Sequence, residues 1–133
     1  VDAAITKMGG GVLPDADAFW DTVREQSHPF FADAEQGLWR VSVPTVAPAL
    51  SLPGEQMIEW GGAQRWLKTN ADAATIRAAA TAAGGHATLY RGGDKSVGVF
   101  QPLAPAVASI HRNLKNAFDP SGIFNPRRMY TDF

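Results

Sequence analysis

Residues 56 to 68 read Gln-Met-Ile-Glu-Trp-Gly-Gly-Ala-Gln-Arg-Trp-Leu-Lys, and this stretch decides the predicted fold. Two runs rich in β-forming residues, 56–60 and 64–68, lie on either side of Gly61-Gly62. Glycine accepts the positive φ of tight hairpin turns, so the stretch predicts two strands joined by a short turn. A hairpin near the middle of the chain indicates an antiparallel sheet.

Two further strands and an edge segment are predicted around this hairpin. Leu38–Val43 alternates and is rich in β-forming residues, and His86–Arg91 has similar character after a glycine pair. Prolines make residues 44–54 a loop between the first strand and the hairpin. A short edge strand is expected at Val97–Phe100.

Four helices complete the predicted order of elements. The first covers residues 1–8, the second is capped by Asp15 and ends at His28-Pro29, the third is alanine-rich and capped by Asp72, and the fourth runs from Pro105 to Asp119. This order indicates an α+β fold in which helices pack on one face of an antiparallel sheet.

Composition excludes several classes of function. The 133 residues suit one domain, and a net charge of -1 argues against a nucleic-acid-binding protein, which would present a basic face. The absence of cysteine excludes disulfides and thiolate chemistry, and it suits a reducing cytoplasm. No apolar run is long enough for a membrane span. Because the chain starts with Val1 rather than Met, we expect it to be an N-terminally truncated fragment.

Four residues on predicted strands are candidates for substrate contact. His86 opens a strand directly after Gly84-Gly85, where a backbone can approach a ligand closely, and it is the candidate catalytic residue for proton transfer. Arg40, Arg65 and Arg91 could converge across the sheet on a carboxylate, although surface salt bridges explain each of them singly.

The other histidines and the tryptophans allow structural explanations. His28 precedes a proline at a helix end, which is typical of a capping or surface residue, and His111 lies at the edge of an apolar helix stripe. No pair of histidines has metal-ligand spacing, so no metal site is expected. Trp60 and Trp66 indicate either an aromatic surface for an anion or a partner, or the core of the sheet.

The last seventeen residues, 117–133, form an apolar tail after the fourth helix. Exposure of large apolar side chains to water is unfavourable, and this tail contains Phe118, Ile123, Phe124, Met129, Tyr130 and Phe133. Terminal residues are ordered only when they are tied down, so we expect the tail to pack on a surface. That surface belongs either to this domain or to a larger body outside the chain.

Four motifs in order resemble the C-terminal region of the FAD-binding E subunits of glycolate oxidases, within the FAD-linked oxidases of the vanillyl-alcohol-oxidase type. They are Leu38–Pro44, Ile58–Trp66, Gly84–Arg91 and Ala117–Pro126. The hairpin motif is the more specific of these, whereas the motif Phe-Asp-Pro-x-Gly-Ile-Phe-Asn-Pro is shared more widely. The resemblance implies a ferredoxin-like domain on the substrate side of the flavin, with its first strand upstream of Val1.

The resemblance also implies a cofactor, partners and a location. FAD would be bound mainly by a domain that this chain lacks, with residues 119–133 packing on that domain and Asn125 and Pro126 near the flavin ring. The substrate would be glycolate or another small 2-hydroxy acid, and the partners would be further glycolate oxidase subunits. The implied location is the cytoplasm, with association to the inner membrane through those subunits.

Two departures from the family pattern bear on this interpretation. Arg127 stands where the family usually has glycine after Asn-Pro, so the turn of the tail could differ. The metal-binding histidine motif of the catalytic glycolate and lactate dehydrogenase subunits is missing, which puts direct glycolate oxidation by this subunit in doubt.

A competing hypothesis assigns the chain no catalysis. In it, the chain is an α+β interaction module whose tryptophan hairpin and aromatic tail bind another protein. The absence of a complete catalytic set in the sequence favours this alternative.

Overall fold

The computed structural model describes residues 2–32 and 35–132, so Val1 and Phe133 lie outside the described residues. The chain divides into two compact units, Val1–Asp33 and Ala34–Phe133. Within residues 2–32 and 35–132, no helix combines the length and the apolar character that crossing a bilayer requires.

The first unit contains two helices, α1 (Asp2–Lys7) and α2 (Ala16–Arg24). The prediction that the Asp15 side chain caps α2 is wrong, because Asp15 has a φ of 57° and its side chain makes no capping hydrogen bond. The capping role predicted for His28 is confirmed. Its Nδ1 accepts a hydrogen bond of 3.2 Å from the amide of Phe30 at the start of a short 3-10 turn.

The second unit is built on a four-stranded sheet. Its elements are β1 (Gly37–Ser42), β2 (Glu55–Glu59), β3 (Gln64–Thr69), α3 (Ala73–Ala82), β4 (His86–Arg91) and α4 (Pro105–Phe118). The strand order is β2-β3-β1-β4, and every neighbouring pair is antiparallel. The predicted α+β class is confirmed.

The strand order is that of a ferredoxin-like sheet. In such a sheet, two crossover connections each skip one strand. Here α3 makes the crossover from β3 to β4, and the proline-containing loop 43–54 makes the one from β1 to β2. The four described strands therefore give the ferredoxin-like order, with a loop in place of one crossover helix. The prediction that the first strand lies upstream of Val1 is wrong, because β1 occupies that position in the sheet.

The hairpin turn between β2 and β3 depends on its two glycines. Gly61 and Gly62 have φ values of 60° and 96°, which non-glycine residues rarely adopt. A Cβ atom on Gly62 would also lie 2.8 Å from the carbonyl oxygen of Thr45. The predicted need for glycine at this turn is confirmed.

One face of the sheet forms the core together with α3. Ile76 and Ala80 of α3 are completely buried against side chains that alternate along the central strands, namely Trp39, Val41, Leu67, Ala87 and Leu89. The helix begins as predicted, because the Asp72 carboxylate accepts a hydrogen bond of 2.9 Å from the amide of Thr75.

The segment after β4 is not the edge strand that we predicted. Lys95–Val97 forms a 3-10 turn, and one strand-like hydrogen bond of 2.9 Å runs from the amide of Leu89 to the carbonyl of Val99. The Arg77 side chain explains the difference. Its guanidinium donates to the carbonyls of Val97 and Gly98, which holds the segment against α3.

Candidate functional site

An open cleft of about 730 Å³ lies in the second unit and contains two of the predicted site residues. Arg40 of β1 and His86 of β4 both line this cleft. Further polar side chains come from β4, the segment before α4, α4 itself and the tail, and they include Thr88, Gln101, His111 and Tyr130. The cleft also has apolar lining residues, which include Phe100, Pro102, Leu103, Val107 and Met129.

Strand register places Arg40, Thr88 and His86 side by side. Arg40 is the direct cross-strand partner of Thr88 in the β1–β4 pair, and Ser42 is the partner of His86. Directly opposed residues on one face have Cβ atoms roughly 4.5–5.5 Å apart, and diagonal neighbours remain within reach of long side chains. The three side chains thus form one cluster on the sheet face that points away from α3.

A close backbone approach fixes the start of β4 beside this cluster. A Cβ atom on Gly85 would lie 1.9 Å from the carbonyl oxygen of Ser42, so no other residue fits there. The close approach at this glycine pair is to the backbone of β1, and the expected approach to a ligand stays a prediction.

The polar groups of the cleft favour an anion. None of the cleft side chains that the structure describes is an aspartate or glutamate, whereas one arginine and two histidines are present. Among the described residues, the side chains of Arg40 and His86 have no hydrogen bond, ion pair or ring contact. The Gln101 side chain is already engaged, since it accepts from the amide of Ala87 and donates to the Thr81 hydroxyl. A guanidinium with free donors and no neutralising acid is suited to a carboxylate.

The structure does not bring the three predicted arginines together. Arg65 is the cross-strand partner of Val41, so it lies on the α3 face, opposite to Arg40. Arg65 is 3% exposed, and its guanidinium donates to the carbonyls of Pro48 at 2.5 Å, Ala47 at 2.6 Å and Gly62 at 3.1 Å. Arg65 therefore holds the proline-containing loop onto the sheet.

Arg91 is likewise separate from the cleft. It is exposed at the end of β4, its cross-strand partner is Leu38, and it is absent from the cleft lining. Of the three arginines, only Arg40 shares a cavity with His86.

Tyr130 brings the tail to the cleft. Its ring centroid lies 6.3 Å from that of His111 on α4, in an edge-to-face arrangement, and 6.0 Å from that of Phe100. A tyrosine hydroxyl is protonated at neutral pH and can donate, and burial raises the pKa of the Tyr130 phenol further. Two aromatic contacts thus hold a hydrogen-bond donor at the cleft wall.

A second cavity of about 580 Å³, the tail cavity, adjoins the cleft and contains Asn125. His111 and Met129 line both cavities and so separate them. Most of the remaining lining is apolar or aromatic, and it includes Leu114, Phe118 and Phe124. Pro126, the other residue expected near a flavin, follows Asn125 in the same turn but does not line the tail cavity.

Asp119 fixes the course of the tail after α4. Its buried carboxylate accepts hydrogen bonds from the Lys115 ammonium at 2.5 Å and from the amides of Ile123 and Phe124 at 3.1 and 2.9 Å. The hydrogen bond from Lys115 contributes most to lowering the pKa of Asp119. Lys115 also donates to the carbonyl of Phe124. In the motif Phe-Asp-Pro-x-Gly-Ile-Phe, the Asp119 carboxylate therefore holds the residues that follow it against the end of α4.

The backbone at Arg127 has the conformation that glycine favours. Asn125 and Arg127 have φ values of 45° and 57°, both in the left-handed region. Asparagine tolerates this region, whereas an arginine adopts it at a cost of roughly 1–2 kcal/mol. The arginine at this position is thus accommodated in a glycine-like turn.

The two tryptophans of the hairpin have different environments. Trp66 is buried, its indole N–H donates to the Glu59 carboxylate at 2.7 Å, and its ring contacts Tyr90 edge to face at 5.0 Å. Trp60 is 77% exposed and has a φ of 53°. Trp66 fits the structural interpretation of the hairpin, and Trp60 alone remains a surface indole.

Sequence reasoning missed three members of the cleft: Thr88, His111 and Tyr130. The sequence could have predicted Thr88 as a cleft residue, because Thr88 lies two residues after His86 and so shares its strand face. His111 and Tyr130 reach the cleft only through the path of α4 and the tail, for which no local pattern exists. The described residues contain no group of three histidine, cysteine, aspartate or glutamate side chains arranged to hold a metal ion.

Comparison with known proteins confirms the resemblance to the glycolate oxidase E subunit. The chain is 47% identical over 132 residues to the glycolate oxidase subunit GlcE of Escherichia coli (strain K12). The matched region covers 99% of this chain and 36% of that relative, so the chain spans little more than a third of its length. No protein-family model and no solved structure matches the chain.

Proposed function

We propose that the chain is the C-terminal, substrate-side domain of a FAD-dependent oxidoreductase subunit that acts on glycolate or a related small 2-hydroxy acid. The observation that carries the proposal is the cleft lined by both Arg40 and His86, with no aspartate or glutamate among its described residues. The 47% identity to a glycolate oxidase subunit supports the substrate class.

In the proposed reaction, Arg40 binds the substrate carboxylate. A guanidinium with no partner among the described residues can make two parallel hydrogen bonds to a carboxylate, which fixes both position and orientation. His86, on the neighbouring strand, is then the group that accepts the proton of the 2-hydroxyl on its imidazole. When bound, FAD supplies the acceptor for the hydride from the substrate carbon.

The residues of the tail cavity fit the edge of a flavin ring and no more of the cofactor. Asn125 offers an amide donor and an acceptor, and Phe118, Phe124 and Met129 offer apolar contact. The sequence has no glycine-rich loop for a pyrophosphate. The remainder of FAD would therefore be held by a separate flavin domain of the full-length protein, as the length of the relative suggests.

The apolar face of α4 and the tail are the surface for that flavin domain. The large side chains on this surface are exposed, and they are Ile110, Leu114, Phe118, Ile123, Phe124 and Met129. A continuous apolar surface of this kind is typical of an interaction site. Because the surface borders the cavity that contains Asn125, docking of the flavin domain there would bring a flavin ring next to the cleft.

The proposal extends to partners and location. The relative is named as one subunit of glycolate oxidase, so we propose that the full-length protein assembles with further subunits. We also propose a cytoplasmic location, with any membrane association provided by those partners.

Flavin reduction in the full-length protein tests the proposal. The subunit is co-expressed with its partners, and glycolate-dependent loss of the oxidised-flavin absorbance is followed in rapid mixing. Arg40→Gln should raise the half-saturating glycolate concentration about ten- to hundredfold, because a charge-assisted pair is lost. His86→Gln should slow reduction by about two orders of magnitude or more.

Arg91→Gln is the matched control, since Arg91 is a strand arginine outside the cleft. Arg91→Gln should leave the half-saturating glycolate concentration and the rate of flavin reduction unchanged. If Arg40→Gln and His86→Gln reduce flavin as the unaltered protein does, the substrate-side proposal is wrong.

A second candidate function is a non-catalytic interaction module. The exposed indole of Trp60 and the exposed side chains of the tail favour it, because both could anchor a protein partner. The same flavin-reduction experiment distinguishes the substrate-side domain from the interaction module. If Trp60→Ala or Phe124→Ala abolishes assembly of the subunits, while Arg40→Gln and His86→Gln leave flavin reduction intact, the interaction module is the correct function.

A further inference from the structure

We propose that the cleft is a carboxylate-binding site in its own right, in which the hydroxyls of Thr88 and Tyr130 join Arg40 as donors to the bound anion. This inference rests on the proposed function and deepens it. It adds two residues to the site and predicts that carboxylate binding belongs to this chain, without a flavin.

Thr88 is the direct neighbour of Arg40 across the β1–β4 ladder. Both side chains line the cleft, and the Thr88 hydroxyl has no hydrogen-bond partner among the described residues. A carboxylate has two oxygens and about four acceptor positions, more than one guanidinium fills. A hydroxyl beside the guanidinium can donate to the position that Arg40 leaves open.

Tyr130 faces the same space from the tail. The contacts of its ring with His111 and Phe100 hold the phenol at the cleft wall, where its hydroxyl is protonated at neutral pH. The anion would therefore lie between two strands of the sheet and the end of the tail. His111, through its ring contact with Tyr130, is a positioning residue.

The absence of acidic side chains among the described cleft residues makes the site favour a negatively charged ligand. With Arg40 and no carboxylate of the protein to neutralise it, the cleft attracts one negative charge. The apolar wall formed by residues such as Leu103, Val107 and Met129 disfavours a multiply charged, strongly hydrated anion. The chemistry thus points to a small monocarboxylate rather than to phosphate.

Nuclear magnetic resonance titration of the 133-residue chain tests the inference. The probes are glycolate, acetate, glycolamide and inorganic phosphate, and the signals are the backbone amides of β1 and β4. Glycolate and acetate should shift the amides around Arg40 and Thr88. Glycolamide, which has the same shape as glycolic acid but no charge, should bind at least about tenfold more weakly.

Thr88→Val and Tyr130→Phe each remove one hydroxyl and keep the side-chain shape. Each should weaken glycolate binding about three- to tenfold. Thr88→Ser restores the hydroxyl and should restore most of the affinity, which a loss through altered packing would not do. Arg91→Gln should bind glycolate normally.

Three results would overturn the inference: no glycolate binding by the chain, unchanged affinity in both hydroxyl variants, or phosphate binding as tight as glycolate binding. Failure of the proposed function looks different. In that case the chain still binds glycolate through Thr88 and Tyr130, but Arg40→Gln in the full-length protein leaves flavin reduction unchanged.

Discussion

Helices α3 and α4 belong to the same unit, and both carry an apolar stripe, but they use it differently. α3 buries Ile76 and Ala80 completely in the core of the sheet. α4 has no buried residue, and Leu114 and Phe118 on its apolar face are 57% and 81% exposed. α3 completes the core of the sheet, whereas the stripe of α4 is exposed, and we propose that the flavin domain docks on it. The amphipathic pattern of a helix therefore does not show whether its apolar face packs into the core or remains exposed.

The largest expected effect distinguishes the two helices directly. Ile76→Ala should destabilise the chain by about 2–5 kcal/mol, because it opens a cavity in a closed core. Leu114→Ala should change stability by no more than about 0.5 kcal/mol, since the side chain is mostly solvated. Urea unfolding of the isolated chain measures both. A loss of several kcal/mol in Leu114→Ala would show that α4 belongs to the core of this unit.

The second prediction compares the contributions to stability of Arg65 and Arg40, which lie on opposite faces of the sheet. Arg65→Leu should cost about 2–3 kcal/mol of unfolding free energy, because the three hydrogen bonds donated by the buried Arg65 side chain are lost. Arg40→Leu should have an effect within about 0.5 kcal/mol, since the Arg40 side chain is exposed and makes no hydrogen bond or ion pair with a described residue. Thermal unfolding of both variants checks this contrast. Equal losses would contradict the division into a structural and a functional arginine.

The third prediction concerns the pH dependence of the tail. The pKa of Asp119 lies below its ordinary value, so the stabilisation by this carboxylate is fully present above the unfolded pKa of about 4. It is lost as the pH falls through the lowered folded-state pKa. Amide signals of Ile123 and Phe124 should therefore report tail opening only in strong acid, well before the core signals of α3 change.

Asp119→Asn is the companion variant for this measurement. It keeps the shape of the side chain but loses the charge that pairs with Lys115, so it should loosen the tail at neutral pH and remove the acid transition. If the tail of Asp119→Asn stays as ordered as that of the unaltered chain, the carboxylate does not hold the tail.

Local pattern was sufficient to predict most elements of the fold. The glycine pair of the hairpin, the cap at Asp72 and the alternation in β1 and β4 each depend on residues close in sequence, and each prediction is confirmed. Val97–Phe100 was wrongly expected to be a strand, because the segment is held against α3 by Arg77, twenty residues away.

The site was predictable only in part for a related reason. Alternation correctly separates Trp66 from Arg65, but it does not tell which β1 residue shares a face with Arg65. That depends on register, which places Val41 opposite Arg65 and Arg40 beside Thr88. Tyr130 joins the cleft through contacts with His111 and Phe100, which are distant in sequence, so no pattern in the tail reveals it.

Hydrogen exchange compared between the isolated chain and the full-length protein with FAD tests the central claim most directly. Amides of α4 and the tail, residues 105–132, should gain strong protection in the full-length protein, because the flavin domain covers the apolar face that is open in the chain. Amides of α3 should exchange at the same rate in both. If residues 105–132 exchange equally fast in the full-length protein, the apolar face of α4 and the tail is not the surface on which the flavin domain docks.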